Sequence, residues 1–125
     1  MAKEKDMAKS ERYQKGAEVM EKLFGRPPKE GAMQPDFFDI TVENLFGDIW
    51  GRPGLEIEER SMITLTALTV LNREKELRIH LHGAKNLGIP KEKVEEMMIH
   101  LAHYGGWPVA VAALRQVEEV YNKKK

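Results

Sequence analysis

The chain has no cysteine among its 125 residues. That absence removes disulfide frameworks, thiolate metal sites and every mechanism that needs a thiolate nucleophile or a dithiol redox couple. Net charge is missing as well, because Lys and Arg number 20 and Asp and Glu also number 20. The field that draws a protein to nucleic acid or to an anionic membrane is therefore absent, and neither partner is expected. No apolar run approaches the ~18 residues of a membrane span, and Met1 to Arg12 is charged, without the apolar stretch of a secretory signal. A soluble, cytoplasmic protein is the expectation. The length suits one domain over residues 1–125, since ~100 to 200 residues per domain is usual.

Strand patterning is also missing, and what is present has helical spacing. From Ser10 to Phe24, the residues Tyr13, Ala17, Met20 and Phe24 form one stripe that Gly25 and the pair Pro27 and Pro28 end. Residues Gly25 to Gln34 are expected to be a loop. Pro35 opens a second helix with Phe38, Val42, Leu45 and Ile49 as its buried stripe, flanked by Phe37, Phe46 and Trp50, until Gly51 to Gly54 breaks it. Glu56, Glu58 and Glu59 suit the first turn of a third helix, where negative charge complements the dipole. The stretch Met62 to Leu71 carries no charge, which predicts a helix buried all round.

A fourth helix is expected over Arg73 to Leu87, with Leu77, Leu81 and Ala84 inward and Gly88 as its stop. Pro90 should start a fifth at its first helical position, with Val94, Met97, Met98 and Leu101 buried and Gly105 and Gly106 ending it. After Trp107 and Pro108 a last helix runs to about Asn122, with Ala110, Leu114, Val117 and Tyr121 on one face, and Lys123 to Lys125 frayed at its end. The fold expected is all-α, a single domain of about six helices.

Four histidines carry the chemistry worth considering, namely His80 with His82 and His100 with His103. Residues two apart point to opposite sides of a helix, so His80 and His82 cannot share one proton or ligand. Glu76, one turn before His80, can accept a hydrogen bond from the imidazole, set its tautomer and raise its pKa. Such a unit could serve as general acid or base, or be an ordinary surface pair. Glu96, His100 and His103 share one helix face and could in principle form a facial metal site. Three ligands on one face strain the side chains, so no metal is expected and a polar stripe is the plainer reading.

The segments Asp48 to Leu55 (DIWGRPGL), Arg60 to Leu65 (RSMITL) and Glu76 to Gly88 (ELRIHLHGAKNLG) resemble the carboxymuconolactone decarboxylase family. The resemblance continues through Glu11 to Gly16 (ERYQKG) and Tyr104 to Pro108 (YGGWP), in the order of the γ-carboxymuconolactone decarboxylase subgroup. It implies an alkylhydroperoxidase D-like helical fold assembled as a trimer or hexamer, and a role in the breakdown of aromatic compounds. The redox relatives carry a Cys-x-x-Cys pair ahead of the family histidine, which here is His80. Arg73 and Glu76 occupy those two positions, so thiol peroxidase chemistry is excluded. Asp48 stands where the subgroup often has Glu, and Gly105 where it often has Cys.

The activity implied is decarboxylation of an acidic unsaturated lactone to an enol-lactone. Loss of CO₂ sends an electron pair toward the lactone carbonyl, and the dienolate is then protonated. The substrate holds its own electron sink, so no cofactor is expected. His80 is the candidate acid or oxyanion donor, Glu76 its orienting group and Asp48 a second acid or base. Arg52 is the candidate anchor for a substrate carboxylate, with Trp50 beside it. Action on another lactone or keto acid, or a non-catalytic helical oligomer that binds a small acidic ligand, are the rival readings.

Overall fold

Each helix begins and ends where a local group can satisfy the backbone. In a computed structural model that describes residues Lys9 to Lys123, helix α1 (Glu11–Phe24) starts at Ser10, whose hydroxyl accepts from the Tyr13 N–H at 3.0 Å. It stops at Gly25, which takes the left-handed conformation at φ 79°. Helix α2 (Pro35–Ile40) is capped by the Gln34 side chain and runs directly into a π-helical segment, Thr41–Ile49. The wider winding shows in the Trp50 N–H, which donates to Leu45 O five residues back at 2.8 Å.

Four further helices follow: α3 (Ile57–Val70), α4 (Glu74–Asn86), α5 (Lys91–Gly105) and α6 (Trp107–Asn122). Glu56 and Glu59 close a reciprocal capping box at the start of α3. With α2 and the π segment counted as one run, the described residues form six helical runs and no strand. The fold is all-α, as the periodicity predicts. The helices gather into two compact units that divide between Leu55 and Glu56.

In the first unit α1 packs on the π segment at backbone contact. A Cβ on Gly16 would lie 1.9 Å from Val42 O, and one on Gly47 would lie 2.4 Å from Arg12 O. Only glycine permits that approach. Leu23, Phe38, Val42, Phe46 and Trp50 are buried here, and the Phe46 ring meets Phe24 edge-on at 6.0 Å and Trp50 at 5.7 Å. The second unit is cored by Leu65, Leu77, Leu81, Val94, Met98 and Val117, all 2% exposed or less. Around them Ala84, Ala113 and Val120 complete one continuous cluster.

Several expectations are corrected. Leu45 and Ile49 are exposed at 42% and 45%, and the buried line is Phe38, Val42, Phe46 and Trp50 at a strict spacing of four. A π winding returns to the same side later than an α-helix of 3.6 residues per turn, so the α stripe does not apply. In α1 the fully buried positions are Gly16 and Leu23, while the expected stripe is half-buried. Helix α3 is not buried all round, for only Ser61, Leu65 and Thr69 are buried, with Ile63 56% and Leu71 69% exposed. Neighbours cover one side of it and leave apolar residues outside. Pro90 is the cap of α5 and not its first helical residue, and Trp107 and Pro108 lie inside α6. Lys123 follows the end of α6 with its carbonyl bound by Lys85 Nζ at 2.9 Å; Lys124 and Lys125 lie outside the described residues.

Gly16→Ala should lower the unfolding free energy by about 1–3 kcal/mol, the usual cost of overpacking. Gly54→Ala, where an added Cβ meets nothing within 4 Å, should stay within ~0.5 kcal/mol of the parent. Paired chemical denaturation curves check both, and equal midpoints for the two variants would contradict the crossing.

Candidate active site

Helix α4 sets the histidine positions. Burial of Leu77, Leu81 and Ala84 turns the same side of the helix inward that carries His80, three residues after Leu77 and four before Ala84. His80 is accordingly half-buried and His82 exposed, as the two-residue offset requires. The His80 Nδ1 is shut off from water. Burial pushes the imidazole pKa down from 6.5 to about 4, so His80 is neutral at neutral pH.

This reverses the expected rise. Glu76 is exposed, and its carboxylate lies 3.7 Å from the Arg73 guanidinium, with the two side chains 51% and 64% exposed. A carboxylate that solvated cannot offset the loss of imidazole hydration. A neutral imidazole can donate a hydrogen bond to a developing oxyanion or accept a proton; it does not carry the extra proton of an acid catalyst. Arg73 and Glu76, the two positions where the redox relatives place their thiols, thus face each other as an ion pair.

Asp48 sits at the end of the π segment, where the Arg12 guanidinium of α1 grips it. Arg12 Nε donates to both carboxylate oxygens at 3.1 Å, and Nη2 donates to Oδ2 at 2.6 Å. Hydrogen bonding from Arg12 is the largest cause that holds the Asp48 carboxyl below its ordinary value, and Lys15 adds to it. Asp48 is ionised at neutral pH, which among its expected roles favours a fixed anion or a base over an acid. Arg12 was not identifiable as its partner from spacing, since 36 residues separate them.

Trp50 is 9% exposed and its ring belongs to the aromatic cluster of the first unit. Its flat face is largely committed to packing. Arg52 is exposed just beyond, with its backbone N–H bonded to Ile49 O at 3.1 Å. On α5, His100 stacks on Tyr104 at 5.0 Å and His103 meets Trp107 edge-on at 5.5 Å. Among the described residues no three His, Asp or Glu side chains, Glu96 with His100 and His103 included, are placed to hold a metal ion. Hollows of about 370 Å³ beside Met62, Met97 and His100 and about 290 Å³ beside Arg78 and Arg115 are lined by neither His80 nor Glu76. A Cβ on Gly105 would lie 2.9 Å from Val70 Cγ2, so a cysteine there would need Val70 to shift.

These placements can be compared with known proteins. The model of the carboxymuconolactone decarboxylase family matches residues 35–119, more than half of the chain. The chain belongs to the carboxymuconolactone decarboxylase family. Within this family it is 33% identical over 121 residues to a 4-carboxymuconolactone decarboxylase of Acinetobacter baylyi, covering 92% of this chain and 90% of that protein. It is 31% identical over 84 residues to a nitrosuccinic acid decarboxylase of Metarhizium robertsii, covering 67% of this chain and 59% of that protein. Both relatives are named for carboxy-lyase chemistry. The family match contains Asp48, Trp50, Arg52, Glu76 and His80 and leaves out α1 with Arg12. No helix of the described residues is long and apolar enough to cross a membrane.

The neutral His80 gives a pH signature in stability. Between pH 6.5 and about 4 the unfolded chain takes up a proton that the folded chain does not, so stability falls as pH falls through that window. The loss amounts to about 3 kcal/mol as an order of magnitude. His80→Gln should flatten this slope, whereas Asp48→Asn should leave it, because a lowered carboxylate acts below the window. Urea midpoints from pH 4 to 7 check this; a His80→Gln profile parallel to the parent's would refute a buried neutral imidazole.

Proposed function

We propose that this protein is a cofactor-free decarboxylase of a γ-carboxymuconolactone-type acid, acting in the cytoplasm in aromatic-compound catabolism. The observation that carries this reading is the match over nearly the whole chain to 4-carboxymuconolactone decarboxylase. The chemistry of the residues supports it. Breaking the bond to the departing carboxylate leaves an electron pair that flows through the ring double bond to the lactone carbonyl. A neutral His80 N–H stabilises that oxyanion without first protonating the substrate, and the dienolate carbon then takes one proton from solvent water to give the enol-lactone. Glu76, one turn before His80, is the candidate orienting group. Arg52, with Trp50 near it in sequence, is the candidate anchor for the remaining carboxylate, and Asp48 a candidate ionised partner.

A second reading is favoured by the nitrosuccinic acid decarboxylase relative. Nitrosuccinic acid also carries a second carboxylate and an internal electron sink, the nitro group. The same residues suit that class. An ultraviolet assay of the purified protein against unsaturated lactone acids and nitro diacids separates the two readings, and no turnover of any of them would refute both.

His80→Ala should cost ~10²-fold or more in turnover, Glu76→Gln less, and His82→Ala little. The kcat/KM of the parent should stay level from pH 8 down to about 5, because His80 keeps its charge state over that range. Steady-state rates from pH 4 to 8 check this, and equal small losses for His80→Ala and His82→Ala would rule out a catalytic His80.

We further propose that the chain assembles as a homotrimer or hexamer. Ile63, Leu71, Tyr104 and Trp107 are each more than half exposed, an apolar load that monomers rarely present together. Light scattering at micromolar concentration should give three or six times the mass of the chain, and a monomeric mass would contradict it.

A further inference from the structure

Resting on the reading of Asp48 as part of the decarboxylating machinery, we propose that Arg12 is a positioning residue that holds the Asp48 carboxylate as a fixed, oriented anion for the reaction. Three observations converge on it. The first is the fork itself, in which Nε and Nη2 take both carboxylate oxygens at 2.6 to 3.1 Å, a geometry that sets orientation as well as distance. A lysine in this place would supply charge without the second point of contact.

The second is the backbone beneath the fork. Gly47, next to Asp48, approaches the carbonyl of Arg12 so closely that an added Cβ would stand 2.4 Å from it, and Gly16 makes the matching approach to Val42 one turn further along α1. Two glycines in helical segments cost stability. What they bring together is an ion pair whose side chains are 54% and 38% exposed, and exposed pairs contribute little to stability in return. The third observation is the winding: the π segment ends just after Asp48, at Ile49. Such segments are rare and occur frequently at functional sites. The other charges in play are Lys15 of α1, which acts on Asp48, and Glu43 of the π segment, which acts on Arg12.

The test uses the full-length protein with Arg12→Gln, Arg12→Lys and Asp48→Asn. The readouts are thermal midpoint, kcat and KM with pH profile, and direct NMR titration of the Asp48 carboxyl group. Arg12→Gln should lower kcat by about 10-fold or more with KM little changed, as expected when a reacting group is misplaced. It should also move the Asp48 titration upward. Arg12→Lys should restore the titration and part of kcat, at a thermal midpoint equal to that of Arg12→Gln. Loss of thermal stability with kcat and the Asp48 titration unmoved would make Arg12 purely structural and overturn the proposal. An unaffected kcat in Asp48→Asn alongside an inactive His80→Ala would remove Asp48 from the machinery and overturn it too, while leaving the decarboxylase reading intact. Absence of turnover by the parent on every acid tested would sink that reading and the catalytic half of the proposal with it; the carboxyl titration then decides whether Arg12 holds Asp48.

Discussion

The first unit depends on a contact that has no side chain in it. Gly16 and Gly47 let α1 lie against the π segment backbone to backbone, and the neighbouring residues inherit their positions from that crossing. Arg12, one turn before Gly16, is brought over Asp48, one residue after Gly47. Val42 and Phe46 of the π winding and Trp50 at its end, spaced by four, turn inward together. A Cβ at either glycine would separate the segments by more than a hydrogen bond tolerates, so the ion pair and the packing stand or fall together.

In the second unit the governing constraint is the hydration lost by one imidazole. His80 occupies the inward side of α4 because Leu77, Leu81 and Ala84 must be buried, and its basicity falls as a consequence. A buried histidine held neutral can donate one N–H to an oxygen that gains negative charge, or accept a proton at its other nitrogen. It would be poorly suited to delivering a proton from a cationic ring. Burial therefore removes the cationic acid and leaves the neutral donor and the base.

Helix order, the stops at Gly25 and Gly88 and the inward residues of α4 were legible in the sequence, because Gly, Pro and apolar spacing act locally. The stripe of the second helix was misread because it assumed α winding, and no residue between Thr41 and Ile49 announces a π segment. The outer face of α3 was misread because an uncharged run such as Met62 to Leu71 records only that water is unwelcome there, not which neighbour excludes it. The pKa direction of His80 was not legible: the i,i+4 spacing of Glu76 is visible in sequence, while the solvation of that carboxylate and its attraction to Arg73 belong to three dimensions. Arg12 stayed hidden for a similar reason, since a pair 36 residues apart is defined by a crossing of two segments and not by a motif.

The two positions ahead of His80 show how little of this chemistry resides in the helical scaffold itself. A dithiol there would give an electron carrier; Arg73 and Glu76 give an exposed ion pair that can neither attack nor be oxidised. Decarboxylation with an internal electron sink has no use for an electron carrier. It needs a dry hydrogen-bond donor at the developing oxyanion and a cation for the carboxylate that stays behind, and both can be supplied by residues with fixed protonation states. His80 is held neutral and Asp48 is held ionised. Neither changes charge near neutral pH, so whatever these two groups contribute is preorganised by the fold and costs no proton transfer within the protein before the carbon–carbon bond breaks.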